Sequence, residues 1–178
     1  MSENQPKDPG GYTEHKALSA DQDSLPFAVI TVSDTRTEET DKSGKLIRDM
    51  LTEKGHRIAR RRIVKDDPDA MREELEACLS DPDIRIVISN GGTGVARRDG
   101  TFEVVTSFLE KTLSGFGEIF RMLSYGDIGA GAIMSRATAG IARGKVVFAI
   151  PGSSGAVRLA MEKLILEEAG HIYWEITK

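Results

Sequence analysis

Residues 84–101 read IRIVISNGGTGVARRDGT, an apolar run that passes through three glycines into a helical pattern. The run at 84–88 predicts a strand buried on both faces. Glycines at its carboxyl end let the backbone approach a ligand and point its N–H groups at it. Two arginines and Asp99 follow within five residues of Gly94. This junction favours a phosphate and metal site, although a glycine turn with Asp99 capping the next helix explains the same residues.

The rest of the chain predicts further strands of the same sheet. Continuous apolar runs at 27–32 and 146–150 resemble the run at 84–88. Strands of this kind belong to a parallel sheet that is covered by helices on both sides. Residues 57–64 are typical of an edge strand. The alternation of apolar residues in 172–176 predicts a half-exposed strand at the C-terminus.

Five stripes of apolar residues at helical spacing fall between these strands. Each stripe predicts a helix with one face against the sheet. The stripe in 116–123 is predicted to bury Phe116, Ile119, Phe120 and Leu123. The predicted fold class is therefore α/β, a three-layer α/β/α sandwich.

The composition is that of a single domain, predicted to span 26–178 after a disordered polar tail at 1–25. The net charge of −4 argues against sequence-independent binding of nucleic acid. Cys78 is the only cysteine, which excludes an internal disulfide and fits a reducing compartment. The sequence has neither an apolar run of membrane-spanning length nor the apolar core of a signal peptide. A cytoplasmic protein without a membrane partner is predicted.

Three loops are expected beyond the carboxyl ends of the strands, where ligands of such sheets bind. The first begins at Ser33-Asp34 and leads to Asp41 and Ser43, the second is 91–99, and the third is 151–155. Each loop alone is also explained by an ordinary turn or helix cap. Together at one end of a sheet they predict a nucleotide or phosphate pocket. The sequence has neither a P-loop nor the dinucleotide-binding glycine pattern.

Seven short motifs follow one another along residues 27–170. They are Thr31-Val32-Ser33-Asp34, Asp41-x-Ser43-Gly44, Gly91-Gly92-Thr93-Gly94, Arg98-Asp99, Gly115-Phe116-Gly117-Glu118-x-Phe120-Arg121, Ser135-Arg136-Ala137-x-Ala139-Gly140 and Pro151-Gly152-Ser153. In this order and spacing they resemble the MoaB/MogA family of molybdenum cofactor biosynthesis proteins, and the MoaB branch in particular. Any one motif is weak, whereas seven in order are specific.

This resemblance implies a mostly parallel five-stranded sheet with an antiparallel edge strand. It also implies Mg²⁺- and ATP-dependent adenylylation of molybdopterin, which yields adenylyl-molybdopterin and pyrophosphate. A non-catalytic protein that binds or carries molybdopterin or nucleotide, or a trimeric scaffold, is the alternative. Asp41 and the pair Arg98-Asp99 favour the enzyme. The implied assembly is a homotrimer or a hexamer, and the small residues 129–132 beside the helix at 116–123 predict where subunits meet.

The resemblance also implies roles for individual residues. The catalytic acids and Mg²⁺ ligands would be Asp41 and Asp99. Nucleotide and phosphates would be bound by Gly91, Gly92, Thr93, Gly94, Arg98, Gly152 and Ser153. The pterin would be bound by Ser33, Asp34, Ser43, Glu118, Ser135 and Arg136. Two departures from the family pattern lie in this region, since Ser89-Asn90 replaces the two threonines of many relatives and Gly100 replaces a small branched residue.

Overall fold

A computed structural model describes residues 24–97 and 99–178. Its strands are β1 Pro26–Val32, β2 Arg57–Val64, β3 Ile86–Asn90, β4 Lys111–Thr112, β5 Thr138–Ala142 and β6 Lys145–Ile150. Its α-helices are α1 Lys42–Glu53, α2 Pro68–Ser80, α3 Thr101–Phe108, α4 Ser114–Ile128, α5 Ser154–Ala160 and α6 Leu166–Thr177. A 3₁₀ turn, Gly129–Met134, follows α4, and a π-helical turn, Met161–Ile165, joins α5 to α6.

The six strands form one sheet in the order β2-β1-β3-β6-β5-β4. Strands β2, β1, β3 and β6 are parallel to one another, with Val29 opposite Ile88 and Ile88 opposite Phe148. Strand β5 runs antiparallel to both β6 and β4. The predicted mostly parallel sheet with an antiparallel edge is confirmed, and the two-residue strand β4 adds a sixth strand to the five expected.

Both faces of the sheet are buried, as the continuous apolar runs predict. Phe27 and Val29 point into a core that α1, α4, α5 and α6 cover. Ala28 and Ile30 point into a second core that α2 and α3 cover. The α/β/α layers therefore follow from the alternation of side chains along each central strand.

Most helices that start beyond the parallel strands begin at a side-chain cap. Asp41, Asp67 and Ser153 accept hydrogen bonds from backbone N–H groups in the first turns of α1, α2 and α5. Helix α3 follows Gly100 and has no side-chain cap within the described residues. The N–H of Thr101, the first residue of α3, donates instead to the Gly92 carbonyl over 3.1 Å, which ties the start of this helix to the glycine-rich loop.

The predicted strand at 172–176 is wrong, because these residues lie in helix α6. Ile172 and Ile176 pack against the first core from the same helical face. In a strand, residues two and four positions apart lie on the same face, but in a helix residues four positions apart also lie on the same face. Three alternating residues were too few to separate the two periods.

The helix predicted around 116–123 is present as α4, but its buried face is narrower than expected. Phe120 is fully buried, and the ring of Phe116 lies 5.2 Å from that of Phe148. Ile119 is 45% exposed and Leu123 is only partly buried, so the predicted burial of Ile119 is wrong. The next strand, β5, was also missed, because its small residues gave no continuous apolar run.

The predicted tail lies outside the described residues, apart from Ser24 and Leu25. Leu25 is buried in the first core and its carbonyl accepts the N–H of Arg57, so it belongs to the folded domain. None of the helices in 24–97 and 99–178 is both long and apolar enough to cross a bilayer.

Candidate active site

The loops after β1, β3 and β6 meet at one edge of the sheet, because these strands are parallel. The N–H of Gly91 donates to the carbonyl of Ile150 over 3.1 Å. A Cβ on Gly152 would lie 3.0 Å from the Gly91 Cα, and a Cβ on Gly91 would lie 2.4 Å from the Val32 carbonyl oxygen. Gly91 and Gly92 have φ of +99° and +62°. We call this contact between the loops the glycine junction (Gly91, Gly92 and Gly152); it requires glycine on steric grounds.

Arg36 connects the first of these loops to the third. Its Nη2 donates to the Gly152 carbonyl over 2.9 Å, and its Nη1 donates to the Ser43 hydroxyl. Nη1 is also 3.8 Å from Oδ1 of Asp41. Sequence reasoning missed Arg36, because the motif that it follows ends at Asp34 and one arginine in a polar loop has no distinguishing pattern.

A chain of buried hydrogen bonds continues from Ser43 into the sheet. Ser43 donates to the side-chain oxygen of Asn90 over 2.7 Å, and the Asn90 amide donates to the Thr31 hydroxyl over 3.1 Å. Thr31 in turn donates to Oδ2 of Asp41 over 2.9 Å. Asn90, the last residue of β3, therefore uses both its side-chain oxygen as an acceptor and its side-chain amide as a donor.

Asp41 lies at the centre of this network with a side chain that has no solvent exposure. Its Oδ1 caps α1 by accepting the Gly44 N–H over 2.9 Å, and its Oδ2 accepts from Arg61 over 3.0 Å. Burial alone would raise the pKa of Asp41, but the Gly44 N–H, Arg61 and Thr31 together hold this pKa below its ordinary value. Asp41 is therefore ionised near neutral pH, and both of its oxygens are engaged by the protein.

Asp99 lines a cavity of about 340 Å³ together with Gly94, Gly100 and Glu103. Its Oδ2 accepts the N–H of Ala96 over 2.8 Å, which closes the turn after the glycines. The start of α3 opens onto the same cavity through Gly100. The Asp99 carboxylate and the start of α3 thus line the same cavity.

Arg136 holds the glycine loop in place from the β5 side. Its Nε donates to the Thr93 carbonyl over 2.9 Å and its Nη2 to the Gly94 carbonyl over 2.7 Å. It also pairs with Glu103, and its guanidinium lies 4.9 Å from the centre of the Phe102 ring. The pairing with Arg136 lowers the pKa of Glu103. Arg136 therefore contacts the glycine-rich loop at 91–94, whereas the family resemblance implied a contact with the pterin.

Ser135 and Ser153, predicted for pterin and phosphate respectively, line a common cavity of about 190 Å³. Its other walls are mostly apolar and include Ile128 and Leu159. Ser153 caps α5 by accepting the Ala156 N–H over 3.2 Å. This cavity has the mixed lining that suits a heterocyclic ring.

The remaining predicted residues are dispersed. The Ser33 hydroxyl accepts from the N–H groups of Thr35 and Arg36, and Asp34 accepts the Asp66 N–H over 3.0 Å. These contacts shape the loop after β1.

Glu118 is exposed on α4. No contact within the described part of the chain ties it to the glycine junction. Arg98 lies outside the described residues, so its predicted phosphate contact stays a prediction.

Mg²⁺ was assigned to Asp41 and Asp99, and the two carboxylates differ in how they fit such an ion. In the described part of the chain no three Asp, Glu, His or Cys side chains converge on one point. Mg²⁺ is commonly bound by one or two carboxylates together with substrate phosphates. Asp99, at the rim of an open cavity, fits that arrangement. Asp41 would first have to give up Arg61 or the Gly44 N–H.

Comparison with known proteins adds independent information. The family described as "Probable molybdopterin binding domain" matches residues 28–171. Molybdenum cofactor biosynthesis protein B of Bacillus subtilis is 55% identical over 166 residues, which are 93% of this chain and 96% of the relative. The protein of the same name from Bacillus cereus is 50% identical over 165 residues, covering 92% and 96%.

Solved structures show the same similarity in three dimensions. A crystal structure of molybdenum cofactor biosynthesis protein B has a TM-score of 0.84 at 51% identity and covers 86% of this chain and 96% of its own. The tungsten cofactor synthesizing protein MoaB from Pyrococcus furiosus has a TM-score of 0.75 at 38% identity and covers 87% and 98%.

Proposed function

The chain belongs to the MoaB/MogA family of molybdopterin-binding domains in molybdenum cofactor biosynthesis, and we propose that it catalyses the adenylylation of molybdopterin by ATP. The observation that carries this proposal is the glycine junction, where Gly91 and Gly152 touch beneath Arg36. Gly94 lines the Asp99 cavity, and Pro151 and Ser153, on either side of Gly152, line the cavity beside Ser135. Adenylylation needs two polyanionic substrates, molybdopterin and ATP, to be aligned, and two cavities beside one close-packed junction suit this task.

The proposed reaction is a transfer between phosphates. An oxygen of the terminal phosphate of molybdopterin forms a bond to the α-phosphorus of ATP. The bond from that phosphorus to the bridging oxygen breaks, and pyrophosphate leaves with the electron pair. A phosphate monoester is already ionised at neutral pH, since its second pKa is about 6. No strong general base is required, which agrees with an ionised Asp41 whose lowered pKa makes it a weak base.

The protein then has to position and stabilise the phosphates. The N–H groups of residues 92–94 and the N-terminal turn of α3, which lacks a side-chain cap, are proposed to supply donors, and Arg36 supplies positive charge. Gly152 and Ser153 are proposed to contact phosphate at the start of α5. Mg²⁺ beside Asp99 would neutralise phosphate charge when bound. Asp41 is proposed to act mainly as a positioning residue that holds Arg61 and the start of α1.

The pterin is proposed to occupy the cavity between Ser135 and Ser153, because its apolar walls suit a flat ring. Ser33, Asp34 and Glu118 are proposed to contact pterin from neighbouring loops. The contribution of Ser43 is proposed to be indirect, because its hydroxyl is buried and already bound to Asn90.

A homotrimer or hexamer is proposed because large apolar side chains are exposed to solvent in the single subunit. They cluster on α4 and the 3₁₀ turn after it. They are Ile119, Met122, Tyr125, Ile128, Ile133 and Met134. Ile133 is 82% exposed and Met122 65%. We call this set the α4 patch.

The experiment that tests the proposed function is a direct assay. Purified protein is incubated with molybdopterin, ATP and Mg²⁺, and both adenylyl-molybdopterin and pyrophosphate are measured. Equal amounts of the two products are expected, and omission of molybdopterin should stop pyrophosphate release. Tight molybdopterin binding without either product would support the binding or carrier protein instead.

A further inference from the structure

A third cavity, of about 420 Å³, lies at the carboxyl ends of β1 and β2. It is lined by the loop after β1 and by the end of β2, including Arg36, Arg62 and Lys65. Asp34 and Glu38 are the carboxylates on its wall. Three cations against two carboxylates leave the cavity with a positive balance. None of the roles proposed above uses Arg62 or Lys65.

Strand β2 carries an unusual density of arginine, and most of these arginines are engaged by carboxylates. The pairs are Arg57–Asp83, Arg60–Glu74 and Arg61–Asp41. Arg62 and Lys65 form no ion pair with any residue of 24–97 or 99–178. Arg62 is also exposed. Two cations at the cavity are therefore available to an anion from solution.

Arg36 connects this cavity to the glycine junction. It lines the cavity, and its Nη2 holds the Gly152 carbonyl. A Cβ on Gly152 would lie 3.7 Å from Arg36 Nη1, so the guanidinium lies directly against the junction. One polyphosphate could therefore reach from Gly91 and Gly152 past Arg36 towards Arg62 and Lys65.

The two other cavities near the junction are less suited to a diphosphate. The Ser135 cavity is mostly apolar. On the described residues of the Asp99 cavity, the carboxylates of Asp99 and Glu103 balance the charges of Arg97 and Arg136. The cavity at Arg62 has the positive balance and also two cations without a carboxylate partner.

We propose that the cavity lined by Arg36, Arg62 and Lys65 binds a diphosphate: the β- and γ-phosphates of ATP before transfer and pyrophosphate after it. This inference rests on the proposed function, which supplies the reaction. When the bond from the α-phosphorus breaks, the electron pair and the added negative charge go to the pyrophosphate oxygen. Cations placed in advance at that oxygen stabilise the transition state more than the ground state.

The experiment measures binding of inorganic pyrophosphate alone, without ATP or molybdopterin, by calorimetry at constant ionic strength. The variants are Arg62→Gln, Lys65→Gln and the double variant. Each single change should weaken binding by about tenfold, the size of one lost hydrogen bond to a charged group. Inorganic phosphate should bind more weakly than pyrophosphate, because it cannot span the cations.

Arg57→Gln is the matched control. Arg57 lies on the same strand as Arg62 and carries the same charge. It is five residues before Arg62, or about 16 Å along the strand, and is paired with Asp83. Its replacement should change pyrophosphate affinity less than twofold. Circular dichroism and thermal melting of all variants would show that the exposed changes leave the fold intact.

Two results would overturn the inference: pyrophosphate failing to bind the wild-type protein at millimolar concentration, or binding equally well to the double variant. Self-association of the double variant with unchanged pyrophosphate affinity would show instead that these cations protect the sheet edge. The adenylylation assay separates this inference from the proposed function. If pyrophosphate binding depends on Arg62 but the protein has no transferase activity, the diphosphate site is supported and the proposed adenylylation is refuted.

Discussion

The Ser43 hydroxyl donates a 2.7 Å hydrogen bond to the side-chain oxygen of Asn90, and this contact gives a direction to the whole buried network. Since Arg36 can only donate, the Ser43 hydroxyl accepts a hydrogen bond from it and donates its own hydrogen bond to Asn90. Asn90 then donates to Thr31, which donates to Asp41. The network therefore runs from a cation to a carboxylate with each donor assigned, and it joins the three loops of the candidate site.

Asp41→Asn should destabilise the protein by about 3 kcal/mol near neutral pH, because it leaves Arg61 without its buried partner. The pKa of Asp41 is lowered in the folded protein. Its ionisation therefore stabilises the fold above the unfolded pKa of about 3.9, and this contribution is lost as the pH falls through the lower folded value. The difference between wild type and variant should shrink in acid, as measured by urea unfolding between pH 7 and pH 3.

Asp49→Asn is the control for this change. Asp49 lies on the same helix but is 52% exposed in its ion pair with Arg48, so its replacement should cost less than about 1 kcal/mol at any pH. Equal stability losses in the two variants would show that Asp41 makes no special contribution.

Asp99→Asn should reduce turnover in adenylylation by about two orders of magnitude or more, in the range of one lost electrostatic contact. Folding should be preserved, because the asparagine oxygen can still accept the Ala96 N–H that the Asp99 carboxylate accepts. Molybdopterin binding should also persist. Glu103→Gln, on the same cavity, removes a carboxylate that Arg136 already neutralises and should have a much smaller effect on kcat. If Asp99→Asn turns over at the wild-type rate, the Asp99 carboxylate has no role in catalysis.

Gly91→Ala should destabilise the protein by about 3 kcal/mol or more, or prevent folding. Its Cβ would lie 2.4 Å from the Val32 carbonyl oxygen at a φ of +99°. The backbone cannot easily move away, because Gly91 is bound to Ile150. By contrast, Gly170→Ala within α6 meets only a Leu25 methyl at 3.9 Å and should stabilise by about 0.5–1 kcal/mol. Thermal unfolding of both variants distinguishes the strained glycine from the permissive one.

Met122→Glu in the α4 patch should dissociate the proposed oligomer, because it places charge in an apolar interface. The subunit should remain folded, since Met122 is 65% exposed. Thr52→Glu, on the exposed surface of α1, should leave the assembly unchanged. Sedimentation velocity at micromolar concentration gives the oligomeric state. A wild-type protein that is a fully active monomer would refute the prediction.

Features that depend on neighbours in the chain could be predicted from the sequence. The central strands were recognisable because strands buried on both faces are continuously apolar, and such strands imply the α/β/α layers. The glycine-rich segment at 91–94 predicted a close approach of backbones, and Gly91 and Gly92 have positive φ values that only glycine adopts without strain. The seven ordered motifs identified the family. At 172–176 the same reasoning failed, because strand and helix periods coincide over so few residues.

Only the tertiary structure decided which of these residues meet. Parallel pairing of β1, β3 and β6 brings loops that are distant along the chain into contact, and this placed Arg36 against Gly152, 116 residues further on. It also placed Asp41 among buried donors and Asp99 beside an open cavity, although both are acids near helix starts in the sequence. The partners of a side chain depend on strand order and helix packing, and these long-range contacts have no local pattern in the amino-acid sequence.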